Sequence, residues 1–527
     1  MSTQPADTPA PDFGLITDCI RQHAQAAPQR LALRDPQAQL DYAALDARMD
    51  RVAAALQQAG VAPGSAIALC ALASVDYAAV FLGALRAGVA VAPLAPGSTA
   101  QSLQRMVANA QATLLFVDPT GLEALGGQAP EGVTLVGIGP APLPESPGLQ
   151  ALQPWLDAAP APMQPVQVGP EAPFNIIYSS GTTGEPKGIV QSHRMRWAHV
   201  QRGQSYGYGP ETVTLLSTPL YSNTTLVVFF PTLAFGGCVL LQPKFDAGTW
   251  LRTAEAHRVT HTMLVPVQYQ RLLAHPDFDR TDLRSFQMKF CTSAPFSAAL
   301  KADALARWPG GLVEFYGMTE GGGTCLLEAH LHPDKLHTVG RPAPGSDIRL
   351  IDEAGQQLPP GSVGQAGEVV GRSEGMMTGY HRQPEKTREA EWFSPEGLRF
   401  IRTGDVGRFD AEGFLTLADR KKDLVISGGF NIYPSDLEAV LREHPGVADA
   451  AVVGVPSAQW GETPVAFVVR RDGAENIDSA ALLSWANARL GKTQRLSALQ
   501  WIDELPRSAI GKVLKRELRD AWVGTTA

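Results

Sequence analysis

The chain is predicted to be an α/β protein in unequal parts: a large N-terminal domain of helix-covered sheets with a β-rich subdomain, followed by a small α+β C-terminal domain. Three observations predict this. Strand and helix patterns alternate from about residue 65 to 340. The texture then changes to short strands separated by turns. A charged run at Asp419–Asp423 precedes a compact α+β pattern. The expected organisation is therefore 1–418 as the large domain, 419–423 as a hinge and 424–527 as the small domain.

Apolar residues Leu45, Met49, Val52, Ala53 and Leu56 fall at helical spacing, with Asp41 placed to open the helix and Gly60 to end it. Ser65–Leu72, Tyr77–Arg86 and Val89–Pro93 read as strand, helix and strand, a unit that implies a parallel sheet. Residues 119–172 are rich in Pro, Gly and Ala and read as a meandering connection with one small strand at Thr134–Ile138. Strands follow at Asn175–Tyr178, Val213–Thr218, Cys238–Leu241 and Thr262–Val265. The β-rich stretch, Gly340 to Leu417, is punctuated by turns at Asp352–Gly355, Pro360–Gly361 and Glu412–Gly413. The C-terminal pattern is helix 435–443, strands 448–455 and 464–470, helix 479–490, strand 499–502 and helix 511–521.

Composition narrows the function. A chain of 527 residues with 44% hydrophobic and 18% charged residues can bury large cores. Its net charge of −8 disfavours a nucleic-acid or anionic-membrane surface. Five scattered cysteines with no C-x-x-C pair argue against a disulfide framework or zinc site and fit a reducing cytoplasm. The Pro/Ala/Thr-rich start does not read as a signal peptide, and no integral membrane segment is expected.

The first motif that carries chemistry is Ser179-Ser180-Gly181-Thr182-Thr183-Gly184-Glu185-Pro186-Lys187-Gly188. Its glycines let backbone approach an anion, while hydroxyls and Lys187 supply donors, as a polyphosphate requires. It is not a Walker A loop, because no glycine immediately precedes a Lys-Ser/Thr pair. Four more motifs follow in order: Tyr316-Gly317-Met318-Thr319-Glu320, Arg402-Thr403-Gly404-Asp405, Asp419-Arg420-Lys421-Lys422-Asp423 leading to Ser427-Gly428-Gly429-Phe430, and Pro506-Arg507-Ser508-Ala509-Ile510-Gly511-Lys512.

This series resembles the adenylate-forming superfamily of acyl-CoA synthetases, peptide-synthetase adenylation domains and luciferases, over about residues 14–521. The resemblance implies an acid–thiol ligase of the acyl-CoA branch using ATP, Mg²⁺ and coenzyme A. Ser179, Ser180, Gly181, Thr182, Thr183 and Gly184 would cradle phosphate. Tyr316 would pack on adenine, with Ala294, Pro295, Gly317 and Met318 beside the nucleotide, and Thr319 would contact the α-phosphate. Glu320 would hold Mg²⁺, Asp405 the ribose hydroxyls, and Arg420 the nucleotide. Lys187 and Lys512 would be catalytic cations, Lys512 bridging the carboxylate and α-phosphate. Lys422 would be the pivot of a mobile small domain. Gly428, Gly429, Phe430, Trp460 and Lys492 would face coenzyme A.

Two departures from the family pattern bear on substrate and coenzyme. Ser222 stands where many relatives carry histidine, and Gly491 where many carry an aromatic before Lys492. Tyr221, Ser222, Asn223, Thr224 and Gly317 are expected to line the acyl pocket. The polarity of Ser222–Thr224 suggests a small hydroxylated branched acid, as used by 2-hydroxyisobutyrate-type CoA ligases. It is equally compatible with side chains that bond to backbone or water. A benzoate- or cinnamate-like acid is the alternative, and a free-standing enzyme loading a carrier protein is another. A luciferase-like oxygenase and a non-enzymatic nucleotide binder are weaker readings. A small-molecule acid and coenzyme A are the expected partners, and a homodimer is compatible.

Overall fold

The helix Val75–Arg86 is apolar on every side, and every residue in it except Asp76 is buried. Such a helix belongs inside a layered structure rather than on its surface. At its end Arg86 is held by Asp46 at 2.6 Å and Asp50 at 2.8 Å, both on the neighbouring helix Tyr42–Gln58. That neighbour opens on Asp41, whose carboxylate accepts from Ala44 N at 2.8 Å. Gly60 follows it with φ +75°, as the sequence pattern requires.

The computed structural model describes residues 13–139, 146, 148–159, 161–179, 186–420, 423–427, 430–457, 460–474, 477–490, 495–508 and 511–522, without the side chains at 179, 419, 420, 430 and 431.

Two large sheets sandwich the central helices. One is eight-stranded, ordered Gly379–Tyr380, Lys187–Ser192, Pro173–Ser179, Ala90–Leu94, Ala66–Cys70, Leu114–Val117, Thr134–Gly137 and Leu149–Ala151. The other is nine-stranded, with Gly321–Glu328, Gly311–Met318, Met288–Cys291, His261–Leu264, Val213–Leu216 and Cys238–Leu241 running across its middle. The largest core joins them: Ile67 and Leu69 from one sheet, Val239 and Phe290 from the other, and Phe81, Phe229 and Phe230 from helices between. A five-stranded antiparallel sheet built on Gly367–Arg372 and Arg399–Phe409 forms the β-rich subdomain. The C-terminal sheet pairs Val447–Ser457 with Gly461–Arg470 and adds Ala498–Ile502, and its apolar clusters draw on residues beyond 424 alone.

Two expectations need correction. The stretch 119–172 is not mere connection: Leu149–Ala151 extends a sheet, and the helix Leu152–Asp157 buries Trp155 and Leu156. The last helix is Lys515–Asp520, not 511–521. Gly511 and Lys512 instead lie in a tight turn, where Ser508 N donates to Lys512 O at 2.8 Å and Gly511 N to Ser508 O at 2.8 Å. Gly511 has φ +75°, a conformation that breaks helix continuity.

The β-rich sheet crosses the nine-stranded one by direct backbone contact. A Cβ at Gly371 would fall 1.5 Å from the Gly322 carbonyl oxygen, and one at Gly321 would fall 1.7 Å from that of Gly375. This crossing lies immediately after Glu320. Gly371→Ala is expected to cost at least about 3 kcal/mol, because a backbone oxygen cannot swing aside as a side chain does. Urea unfolding followed by tryptophan fluorescence measures this. Gly397→Ala, at φ +77° with nothing within 4 Å, is the control; it should lose only about 1–2 kcal/mol. Equal midpoints for the two variants would contradict this account of the crossing.

Candidate active site

Parallel strands Val213–Leu216, His261–Leu264, Met288–Cys291 and Gly311–Met318 end along one edge of the nine-stranded sheet. The segments beyond those ends carry Tyr221–Thr224, Val265, Thr292–Pro295 and Thr319–Glu320. Ligands of open parallel sheets bind at this carboxyl edge, where loops diverge.

Tyr316 donates its hydroxyl to Asp405 Oδ2 at 2.9 Å. Burial, then the Asp405 carboxylate, raises the phenol well above its ordinary pKa, so it stays a donor. Asp405 N donates to Thr403 Oγ1 at 3.0 Å, and Asp405 is register partner to Arg420. Gly317 is exposed beside this pair, Met318 and Ala294 are half-buried, and Pro295 is exposed.

Glu320 and Lys187 meet at Tyr380. The Tyr380 hydroxyl donates to Glu320 Oε1 at 2.9 Å, and Lys187 Nζ sits 5.1 Å from the Tyr380 ring centroid. Backbone fixes the arrangement: Met377 N donates to Glu320 O at 2.8 Å, and Gly379–Tyr380 pairs with Ile189–Val190. Thr319 is held from the other sheet, where Gln191 Nε2 donates to its carbonyl at 2.6 Å.

Behind Gln191 lies a buried network. Arg196 donates to Asn175 Oδ1 at 3.0 and 2.9 Å, to Gln191 Oε1, and to Asn223 Oδ1 at 2.7 Å. Its guanidinium is fully buried among neutral acceptors, and burial lowers its pKa to about 9.

The pocket segment spends its polarity on the protein. Ser222 Oγ accepts from Thr224 N at 3.3 Å, capping the helix Asn223–Ala234. Asn223 accepts from Arg196, and the Thr224 hydroxyl pairs with that of Ser293. Ser293 has φ +82°, unusual for a residue with a Cβ, and this hydroxyl pair links its turn to the helix. Tyr221 is half-buried, its phenol raised by burial.

From the C-terminal part of the chain, the Lys512 turn reaches the same edge. A Cβ at Gly511 would lie 3.1 Å from Val267 Cγ1 and 3.6 Å from Val265 Cγ2. Lys512 itself is half-buried. Trp460 is 51% exposed, in the turn between Val447–Ser457 and Gly461–Arg470. Ser180, Gly181, Thr182, Thr183, Gly184, Lys422, Gly428, Gly429 and Lys492 lie outside the described residues, as do the side chains of Ser179, Arg420 and Phe430.

Sequence reasoning missed Tyr380, Gln191, Arg196 and Ser293. Gln191 alone left a signal, as an amide directly after the apolar residues Ile189 and Val190 that follow the phosphate loop.

Residues 20–381 match the family described as AMP-binding enzyme, and residues 436–512 match the AMP-binding enzyme C-terminal domain. A feruloyl-CoA synthase of an Amycolatopsis species is 33% identical over 94% of this chain and 97% of its own length. An indoleacetate–CoA ligase of Aromatoleum aromaticum is 32% identical over 96% and 97%. The crystal structure of ATP-bound MatB from Rhodopseudomonas palustris superposes with a TM-score of 0.84 at 31% identity, covering 96% of this chain and 98% of that one. The chain belongs to the AMP-binding enzyme family, and it is an AMP-forming acyl-CoA synthetase that uses ATP, Mg²⁺ and coenzyme A.

Proposed function

We propose that this synthetase activates an aromatic carboxylic acid at the carboxyl edge of the nine-stranded sheet. The observation that supports the acid class is an aromatic cluster in the core directly behind the nucleotide motif. Tyr206 lies edge-on to Phe290 at 5.2 Å, and Phe290 stacks on Phe315 at 5.4 Å, one residue before Tyr316. Aromatic rings pack by preference offset or edge-on, and these do so beside the nucleotide motif. Relatives named for ferulate and indoleacetate act on aromatic acids, although another of equal identity is named for sulfoacetate. The small hydroxylated branched acid rested on Ser222, Asn223 and Thr224, whose polar atoms already have protein partners.

The chemistry follows from charge. A carboxylate oxygen attacks the α-phosphorus of ATP, forming the mixed anhydride as the bond to pyrophosphate breaks. Two anions must meet, so Lys187 and Lys512 supply positive charge at the reacting atoms. Glu320 fits Mg²⁺: one oxygen is oriented by Tyr380 while the other has no partner among the described residues, and a single hard oxygen suffices where phosphate and water complete the shell. When bound, the ion neutralises phosphate charge. Tyr316 and Asp405 position the nucleoside, and Gln191 positions Thr319. The coenzyme A sulfur then attacks the acyl carbon and the bond to AMP breaks. For that step the small domain turns about 419–423, withdrawing Lys512 and presenting Gly428, Gly429, Phe430, Trp460 and Lys492 to the thiol. Among the described residues no helix is long and apolar enough to cross a membrane.

Coenzyme-dependent AMP release across benzoates, cinnamates, arylacetates and short hydroxylated branched acids tests the acid class. Aromatic acids should exceed the branched acids at least tenfold in kcat/KM, and the reverse order would refute the aromatic reading. Release only with a carrier protein as acceptor would reassign the second step.

Lys512→Ala should lower adenylation by about 10²–10³ while leaving thioester formation from preformed acyl-adenylate intact. Equal loss in both half-reactions would contradict the assignment. Tyr380→Phe should raise the Mg²⁺ concentration for half-maximal pyrophosphate exchange about tenfold or more, because an outer-shell bond that orients a ligand oxygen is lost. An unchanged Mg²⁺ profile would remove Tyr380 from that role.

A further inference from the structure

We propose that Arg507 and Asp449 are positioning residues for Lys512, and that together they hold the turn carrying the adenylation lysine against the strand Val447–Ser457. This deepens the ligase reading above and rests on its assignment of Lys512.

Lys512 sits in a short loop whose backbone closes on itself. Leu514 N donates to Pro506 O and Ser508 N to Lys512 O, both at 2.8 Å, while Lys512 N donates to Ser508 Oγ at 3.2 Å. These bonds set the shape of the loop, not its place on the domain. Leu505 and Val513 seat the base of the loop in the apolar cluster of Val453 and Phe467. The tip has a different anchor. Arg507 Nη1 donates at 2.7 Å to Gly511 O, the carbonyl directly before Lys512, and Arg507 Nη2 donates at 2.5 Å to Asp449 Oδ2.

Asp449 is a fixed point for that anchor. The register of its strand shifts between Val447 and Asp449, and a bulge of this kind re-aims a side chain. Asp449 Oδ1 accepts from Ala450 N at 2.8 Å and from Arg442 Nε at 3.2 Å, which leaves Oδ2 for Arg507. Arg442 is itself tied to Ala450 O at 2.6 Å. The planar guanidinium of Arg507 then transmits this position to Gly511 O through two bonds in one rigid fork. A lysine, with one ammonium on a flexible stem, cannot make both in that geometry.

Stability does not account for the arrangement. The Arg507 and Asp449 side chains are 31% and 30% exposed, and an ion pair so placed contributes little to the folded state. What it restricts is where the Gly511 peptide, and the Lys512 nitrogen within it, can sit. On the other side Gly511 is close to Val267, where a Cβ would fall 3.1 Å from Cγ1. In adenylation the Lys512 ammonium must stand between two anions, and a preorganised charge displaced by about 1 Å can lose much of its effect on rate. Lys512 serves that half-reaction alone, so losing its anchor should slow adenylation and spare thioester formation. Damage to the domain as a whole would slow both.

The test is pyrophosphate exchange with the most active acid of the panel above, beside thioester formation from its synthetic acyl-adenylate. Arg507→Gln should lower kcat for exchange about tenfold or more, with KM for ATP and for the acid, and the thioester step, within about twofold of wild type. Its urea midpoint should stay near that of wild type. Arg507→Lys should recover only part of the rate. Asp449→Asn, which keeps an acceptor on the bulge, should lose less than Asp449→Ala. Asp449→Ala combined with Arg507→Gln should lose no more than Arg507→Gln alone, because both break one anchor. Unchanged exchange in Arg507→Gln, an equal loss in both half-reactions, or additive losses in the double variant would overturn the positioning role. Lys512→Ala, assayed alongside, separates this from the parent reading: adenylation at the wild-type rate in that variant would overturn the assignment of Lys512 itself.

Discussion

The site depends first on a buried charge without a counter-charge. Arg196 is fully buried and contacts Asn175 and Gln191 from one sheet and Asn223 from the pocket helix, while Gln191 carries the contact to Thr319 at the edge of the other sheet. A guanidinium costs several kcal/mol to bury and is retained only where its donors are matched. Removing it would strand the Asn175 and Asn223 amide oxygens and leave Gln191 Oε1 with Asn175 Nδ2 alone, so the network forms as a unit. Through it the phosphate-loop hairpin, the nucleotide motif and the acyl pocket share one set of coordinates. The glycine crossing at Gly322 and Gly371 fixes the β-rich sheet against the same edge and brings Asp405 to Tyr316.

Most of the architecture was legible in the sequence, for local reasons. Cys238–Leu241 forms as read, because a short apolar run bounded by Gly236–Gly237 and Pro243 has few alternatives. Asp41 and Gly60 delimit their helix as capping chemistry requires. Residues 119–172 were misread because Pro and Gly density hid a helix whose only strong signals are Trp155 and Leu156. The final helix was placed too early because Gly511 and Lys512 look continuous with Lys515–Asp520 until the backbone of Ser508 closes a turn on Lys512.

The candidate site divides in the same way. Residues of the nucleotide end sit within short motifs, so spacing alone finds Tyr316, Glu320 and Asp405. What orients them comes from afar: Tyr380 reaches Glu320 across sixty positions and Gln191 reaches Thr319 across more than a hundred. No local pattern encodes such pairs. The polar run Ser222–Thr224 misled for the converse reason. A hydroxyl near a pocket suggests a ligand, but a serine before a helix satisfies the first turn, and that need is local and always present.

Acid recognition therefore has a different physical basis from nucleotide recognition. ATP is bound by groups that any acyl-adenylating chain must have, and the acid by whatever the pocket leaves unmatched. In this chain the helix His193–Gly203, which Ser192 caps directly after the phosphate-loop hairpin, joins the pocket helix through Arg196 and Asn223. The stretch from Pro173 to Gly203 thus carries the phosphate loop and most of the Arg196 network on continuous backbone. An acid that packs against the pocket helix also stiffens Asn223 and Arg196, and through Gln191 the Thr319 carbonyl. Binding energy gained in the acyl pocket is then available where the carboxylate must meet the α-phosphate, which is how contacts remote from the reacting atoms raise the rate of the chemical step.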